Sequence, residues 1–211
     1  MRLLKLLSTF TLTLTVAGIG VQVSAATYDG PRDANSSVTA EITIPPVDPE
    51  DPNPPIDPEE TNPERGDGLS IRYVSPLDFG STSFSTEAQR LTANHSTGLD
   101  GQSFENMVTV EDIRGTRDGW ILTVNQAEEL MDGAIITMNP YVAENDFGVT
   151  TSSDPLIIGT AAQNFAQADN ESADAGVISI GMGVVTLDIP ARTGVGEYST
   201  TLIWNLANGP V

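Results

Sequence analysis

Few side chains in this sequence could do covalent chemistry. There is no cysteine and only one histidine, His95, set in the polar run TANHSTG. Thiol nucleophiles and thiolate metal sites are excluded. A lone loop histidine also lacks the companions that a hydrolytic triad or a zinc site needs. Acids are abundant, 29 in all, so a carboxylate pair for glycoside hydrolysis has its raw material. They fall mainly in a proline-rich stretch and in polar loops, where solvated charge is the ordinary role. Asp169, Asn170, Glu171 and Asp174 cluster without the spacing of a known calcium loop. The expectation is therefore no cofactor and no metal, with calcium as the minor alternative to a plain acidic loop. No glycine-rich phosphate loop opens a helix. What remains is non-covalent recognition. Two tryptophans, Trp120 and Trp204, each stand in a Trp-x-Leu step, with Leu122 and Leu206. An indole can stack on a sugar ring or fill a core, and strand patterning alone leaves both roles open.

Both steps lie in β-type runs, where residues two apart share a face. In GWILTV, Trp120, Leu122 and Val124 lie together, with Ile121 and Thr123 opposite. In the last run Tyr198, Thr200, Leu202, Trp204 and Leu206 form one face. LSIRYV places Leu69, Ile71 and Tyr73 on one face, and PLDFGSTSF follows. MVTVEDI, GAIITM, GVISIG and VVTLDI continue the series. Many short strands divided by Gly, Asn, Asp and Pro indicate an all-β fold, a β-sandwich of Ig-like or related type around one core. QAEEL, at 126–130, is the only helical candidate and is too short to matter. ENDFGVTTSSDP (144–155) and AAQNFAQADNESADAG (161–176) read as polar loops, the second long enough for a functional insertion or flap.

The N-terminal third has a different texture. Arg2 and Lys5, an apolar run from Leu6 to Gly20, and Val23-Ser24-Ala25 read as a secretory signal peptide over residues 1–25. Its removal leaves no membrane insertion. It also takes two cations and no acid, so the formal charge of −20 becomes −22, with no lysine left. Such a surface repels nucleic acid and other polyanions. Residues 26–44 form an N-terminal segment in which SSVTAEITI alternates as one strand. Whether it pairs with the main domain is open at this level. Residues 45–65 form an acidic Pro-rich linker that uses a nine-residue unit twice, PPVDPEDPN and PPIDPEETN. Proline and like-charge repulsion keep it extended, on the order of 50–60 Å at ~3.1 Å per residue. The main β domain then spans residues 66–211.

GWILTV at 119–124 and YSTTLIWNLANGP at 198–210 resemble the proximal and distal signatures of the WxL family, surface proteins of low-GC Gram-positive bacteria. LSIRYVSPLDFGS resembles the family's opening strand. VVTLDIPARTGVGEYSTTLIWNL resembles its closing strand pair, and the acidic spacer is also typical. The resemblance covers about residues 66–211. It implies a secreted, non-enzymatic protein attached non-covalently to the cell wall, with peptidoglycan as ligand. Partners implied are other WxL-family surface proteins and a membrane-anchored protein. The motif residues carried over are Trp120, Leu122, Trp204 and Leu206, either as ligand contacts or as scaffold. The alternative is a structural or adhesive sandwich that binds a membrane-anchored partner and reaches the wall indirectly.

Overall fold

The computed structural model describes residues 26–28, 30–43, 67–98, 101, 103–116, 118–142, 148–169 and 176–209. The leader at 1–25, the linker at 45–65, and Asn170, Glu171 and Asp174 of the acidic cluster lie outside the described residues. The described chain is all-β, without helix, and sandwich-like.

The chain enters through β1 (Thr27–Tyr28) and β2 (Asp33–Thr43). β3 (Leu69–Val74), β4 (Leu77–Ser83) and β5 (Gln89–Thr92) follow, then the small pair β6 (Ser96–Thr97) and β7 (Ser103–Phe104). Next come β8 (Met107–Asp112), β9 (Trp120–Gln126), β10 (Ile135–Met138), β11 (Thr150–Thr151) and β12 (Leu156–Ile158). β13 (Gln163–Ala168), β14 (Gly176–Gly181), β15 (Thr186–Ile189) and β16 (Gly196–Asn208) complete the order.

The main sheet runs β1-β2-β16-β9-β13-β11, with β4 also on β2. A second sheet runs β12-β10-β15-β5 and a third β14-β8-β3. Their inner faces meet in one core that includes Val38, Leu69, Val110, Leu122, Ile136, Phe165, Ile180, Leu187 and Trp204. Alternation is strict where it matters most. Trp120, Leu122 and Val124 are buried with Ile121 and Thr123 less so, and Thr200, Leu202, Trp204 and Leu206 are buried between exposed neighbours.

The N-terminal segment is built into the sheet. β2 is antiparallel to β16 from Gly196↔Ile42 to Asn205↔Asp33, and its other edge pairs parallel with β4. The long sequence gap between β2 and the strands it joins lets the chain return in either direction, which a tight hairpin would not.

Three expectations require correction, the smallest being the 144–155 loop, in which Thr150–Thr151 form the edge strand β11 on β13. Leu69 and Ile71 are buried, but Val74, rather than Tyr73, takes the next core position. A β-bulge between Ile71 and Tyr73 adds one residue against β8 and reverses the phase, as bulges do. It leaves Arg72 3.9 Å from Glu111. The stretch 161–176, expected as a loop or flap, contains β13, a strand inside the main sheet between β9 and β11. Its pairing with β9 also bulges, between Asn164 and Ala166, so Phe165 and Ala166 are both buried. That phase break, among amide side chains, hides the strand from a period-two reading. QAEEL forms no helix: Gln126 ends β9, donates from Nε2 to the Ile158 carbonyl at 2.5 Å, and accepts the Leu130 amide at 3.0 Å.

Candidate functional site

β9 and β16 lie side by side, and their register brings the two Trp-x-Leu steps together. Leu206 faces Leu122, Trp204 faces Val124, and Asn208 faces Trp120. All four motif side chains point into the core. Trp120 is 2% exposed and Trp204 0%. The indoles thus flank a central Leu–Leu pair on the inner face of the sheet.

Room for two large rings comes from small residues on the adjoining strands. Trp204 pairs with Ala34 of β2, Trp120 with Ala168 of β13, and Leu122 with Ala166. Phe165, the extra residue of the β13 bulge, meets Trp204 edge-on, with centroids 4.9 Å apart and planes at 86°. That geometry suits the ring quadrupoles and adds about 0.5–1.5 kcal/mol beyond burial. The Trp204 Nε1–H donates to Ser36 Oγ at 3.0 Å, deep in the core. A buried indole N–H without a partner would be costly, so Ser36 permits the tryptophan to sit there.

The rim of the site is held by Arg114. Its guanidinium donates to both oxygens of Asp112, at 2.9 and 2.7 Å, to the Gly119 carbonyl at 2.8 Å and to Asn208 Oδ1 at 2.9 Å. One side chain therefore joins the end of β8, the entry to β9 and the exit of β16. The hydrogen bonds it donates to Asp112 raise the Arg114 pKa further above its already high value, so the cation is permanent. Gly209 closes the same corner. Its amide donates to Gly119 O at 3.1 Å, and a Cβ there would lie 2.9 Å from Gly119 C and Trp120 N. Only glycine lets the chain end pass this close to β9.

Among the described residues, the hydrogen-bond partner of the indoles is the Ser36 hydroxyl, which accepts from Trp204, and the side chains around them are otherwise largely apolar. The arrangement is a packed hydrophobic centre with a buried polar latch. His95 lies elsewhere, on the lining of a cavity of about 160 Å³ that it shares with Glu105, Asn106 and Tyr141. Tyr141 donates its hydroxyl to Glu105, which together with partial burial raises the phenol pKa and keeps it protonated. Of the acidic cluster, Asp169 is described and is exposed. Among the described residues, no three His, Cys, Asp or Glu side chains converge on a metal-sized site.

Sequence reasoning finds the four motif residues and misses Ser36, Phe165, Arg114 and Gly209. Phe165 carries a signal, a lone aromatic amid alanines in NFAQA. Ser36 carries none, because its partner is 168 residues away.

No curated protein and no solved structure matches the chain. One family model does, described as WxL domain surface cell wall-binding, over residues 24–210. The match embraces β2 as well as the two Trp-x-Leu strands, in keeping with their shared sheet. The chain belongs to the WxL family of surface cell wall-binding domains.

Proposed function

We propose that this is a secreted, non-enzymatic protein held on the wall of a Gram-positive bacterium by non-covalent binding of its WxL domain to peptidoglycan. The observation that carries the reading is the family match over residues 24–210, which takes in every described strand. The remaining organisation follows from sequence. Residues 1–25 are a cleaved leader, residues 45–65 an acidic spacer, and other WxL-family proteins or a membrane-anchored protein are its companions at the surface.

Charge selects among wall polymers. Teichoic acids are polyanions, and a chain with 29 acids against nine basic residues is repelled by them. The glycan and peptide of peptidoglycan can be gripped by hydrogen bonds and apolar contact without that penalty. Burial of both indoles supports a scaffold role for Trp120, Leu122, Trp204 and Leu206, with ligand contact made elsewhere on the domain.

The test is sedimentation of the purified chain with peptidoglycan stripped of teichoic acid, with no other protein present. Co-sedimentation without release of muropeptides is expected. Retention in the supernatant until a membrane-anchored partner is added would instead favour the indirect, adhesive reading.

A further inference from the structure

The buried tryptophans offer no platform for a sugar, but Tyr141 does. The residue is 39% exposed and yet fixed on several sides. Tyr141 N donates to Gly181 O at 3.0 Å, and Gly181 N donates back to Tyr141 O at 2.9 Å. Asn139 N donates to Met182 O at 2.9 Å, and Asn139 Nδ2 to Val184 O at 2.9 Å. These bonds lace the segment before the ring to the segment after β14. The ring itself rests against Gly181, where a Cβ would lie 2.3 Å from Cε1 and 2.6 Å from Cζ. Only glycine leaves room for it. The hydroxyl is tied to Glu105. The ring is held in one orientation by contacts within the chain while part of the residue stays open to solvent, so a ligand that stacks on it loses little in ordering it.

The ring borders the cavity of about 160 Å³, whose lining also includes His95, Glu105, Asn106, Val184 and Val185. Val184, 62% exposed, forms an apolar lip beside the ring. The lining has one carboxylate and neither arginine nor lysine. An anionic group, whether phosphate or carboxylate, finds no counter-charge there and faces Glu105. The volume is well below the roughly 300–1,000 Å³ of sites that enclose a drug-sized ligand. It suits one ring of a polymer whose remainder runs over the surface.

We propose that this cavity takes a single neutral N-acetylated sugar of the wall glycan, stacked on Tyr141. Its hydroxyls bond to Glu105 and His95, and its acetamido methyl lies against Val184. The alternate sugar carries a lactyl ether with the stem peptide on it and is too bulky for a cavity of about 160 Å³, so the unsubstituted N-acetylhexosamine occupies the site. The assignment rests on the peptidoglycan reading given above and names the part of peptidoglycan that is bound.

The probe is the N-acetylglucosamine tetramer, titrated into the full secreted chain by calorimetry and used to compete the chain off bare peptidoglycan. The tetramer is expected to bind and to displace the protein. Tyr141→Ala and Gly181→Ala should weaken binding about tenfold, as loss of one stacked contact implies. Val184→Asp, at an exposed position, should do the same with an unchanged melting temperature. Phe84→Ala, which removes an exposed aromatic outside the cavity, should leave affinity unchanged. If wild-type chain sediments with bare peptidoglycan and the Tyr141 and Val184 variants sediment equally well, the sugar site falls while wall binding stands. Displacement by free stem peptide in place of the tetramer would overturn it in the same way. A wild-type chain that ignores bare peptidoglycan overturns the wall-binding reading and this site with it.

Discussion

Trp204 has one polar atom, and Ser36 accepts its proton inside the core at 3.0 Å. Ser36→Ala removes the acceptor and leaves a buried N–H unsatisfied, at a cost of about 1–3 kcal/mol. Trp204→Ala removes the ring and its contact with Phe165, at a cost of about 3–5 kcal/mol. Urea unfolding measures both, and the fraction of Ser36→Ala that remains folded should bind wall like wild type. Reduced wall affinity in a fully folded Ser36→Ala protein would contradict a scaffold role for the indole. A second residue-level effect concerns acid. The hydrogen bonds from Arg90, at 2.5 and 2.8 Å, hold the Asp188 pKa below its ordinary value. A depressed folded pKa gives stability that is present above the unfolded value of about 3.9 and is lost as pH falls through the folded one. The melting temperature should therefore drop in that acid range, and Asp188→Asn should flatten part of the drop. The pair is exposed, so added salt should shrink the difference.

At the scale of elements, β2 is the strand on which the reading turns. It lies between β16 and β4, bonded along both edges, and contributes Ala34, Ser36, Val38 and Ala40 to the core. A chain beginning at Asp67 would expose the whole edge of β16 and leave Trp204 without Ala34 or Ser36. It should fail to give a dispersed amide NMR spectrum, and adding a peptide of residues 26–43 in trans should restore one. A folded, wall-binding chain without β2 would contradict its place in the sheet. Much of this architecture is legible in sequence. The alternation in GWILTV and STTLIWNL shows which side chains share a face, and the structure shows that this face is the buried one. The Trp-x-Leu steps are recognisable by their resemblance to the WxL signatures. What escapes the sequence is broken phase and remote pairing. The bulges at Arg72 and Phe165 reverse the alternation, so Val74 displaces Tyr73 from the core and a strand passes for a loop. Tyr141 follows Pro140 in an isolated bridge to Gly181, outside any strand. No local pattern marks it as the fixed, exposed ring.

For the whole molecule, charge and shape separate support from contact. The motif that names the family lies at the centre of the main sheet, out of reach of any polymer as large as the wall. Contact must come from the surface, and the chain as a whole is strongly acidic, with a formal net charge of −20. Binding to a polyanion would weaken with net charge and respond steeply to salt. Binding to neutral sugar through Tyr141 and its neighbours would do neither. The central measurement is co-sedimentation of the purified full chain with teichoic-acid-free peptidoglycan, repeated from low to moderate salt. The account predicts that the protein pellets with the wall and that the pelleted fraction stays constant across the salt series. Protein left in the supernatant, or binding that collapses as salt rises, would contradict it.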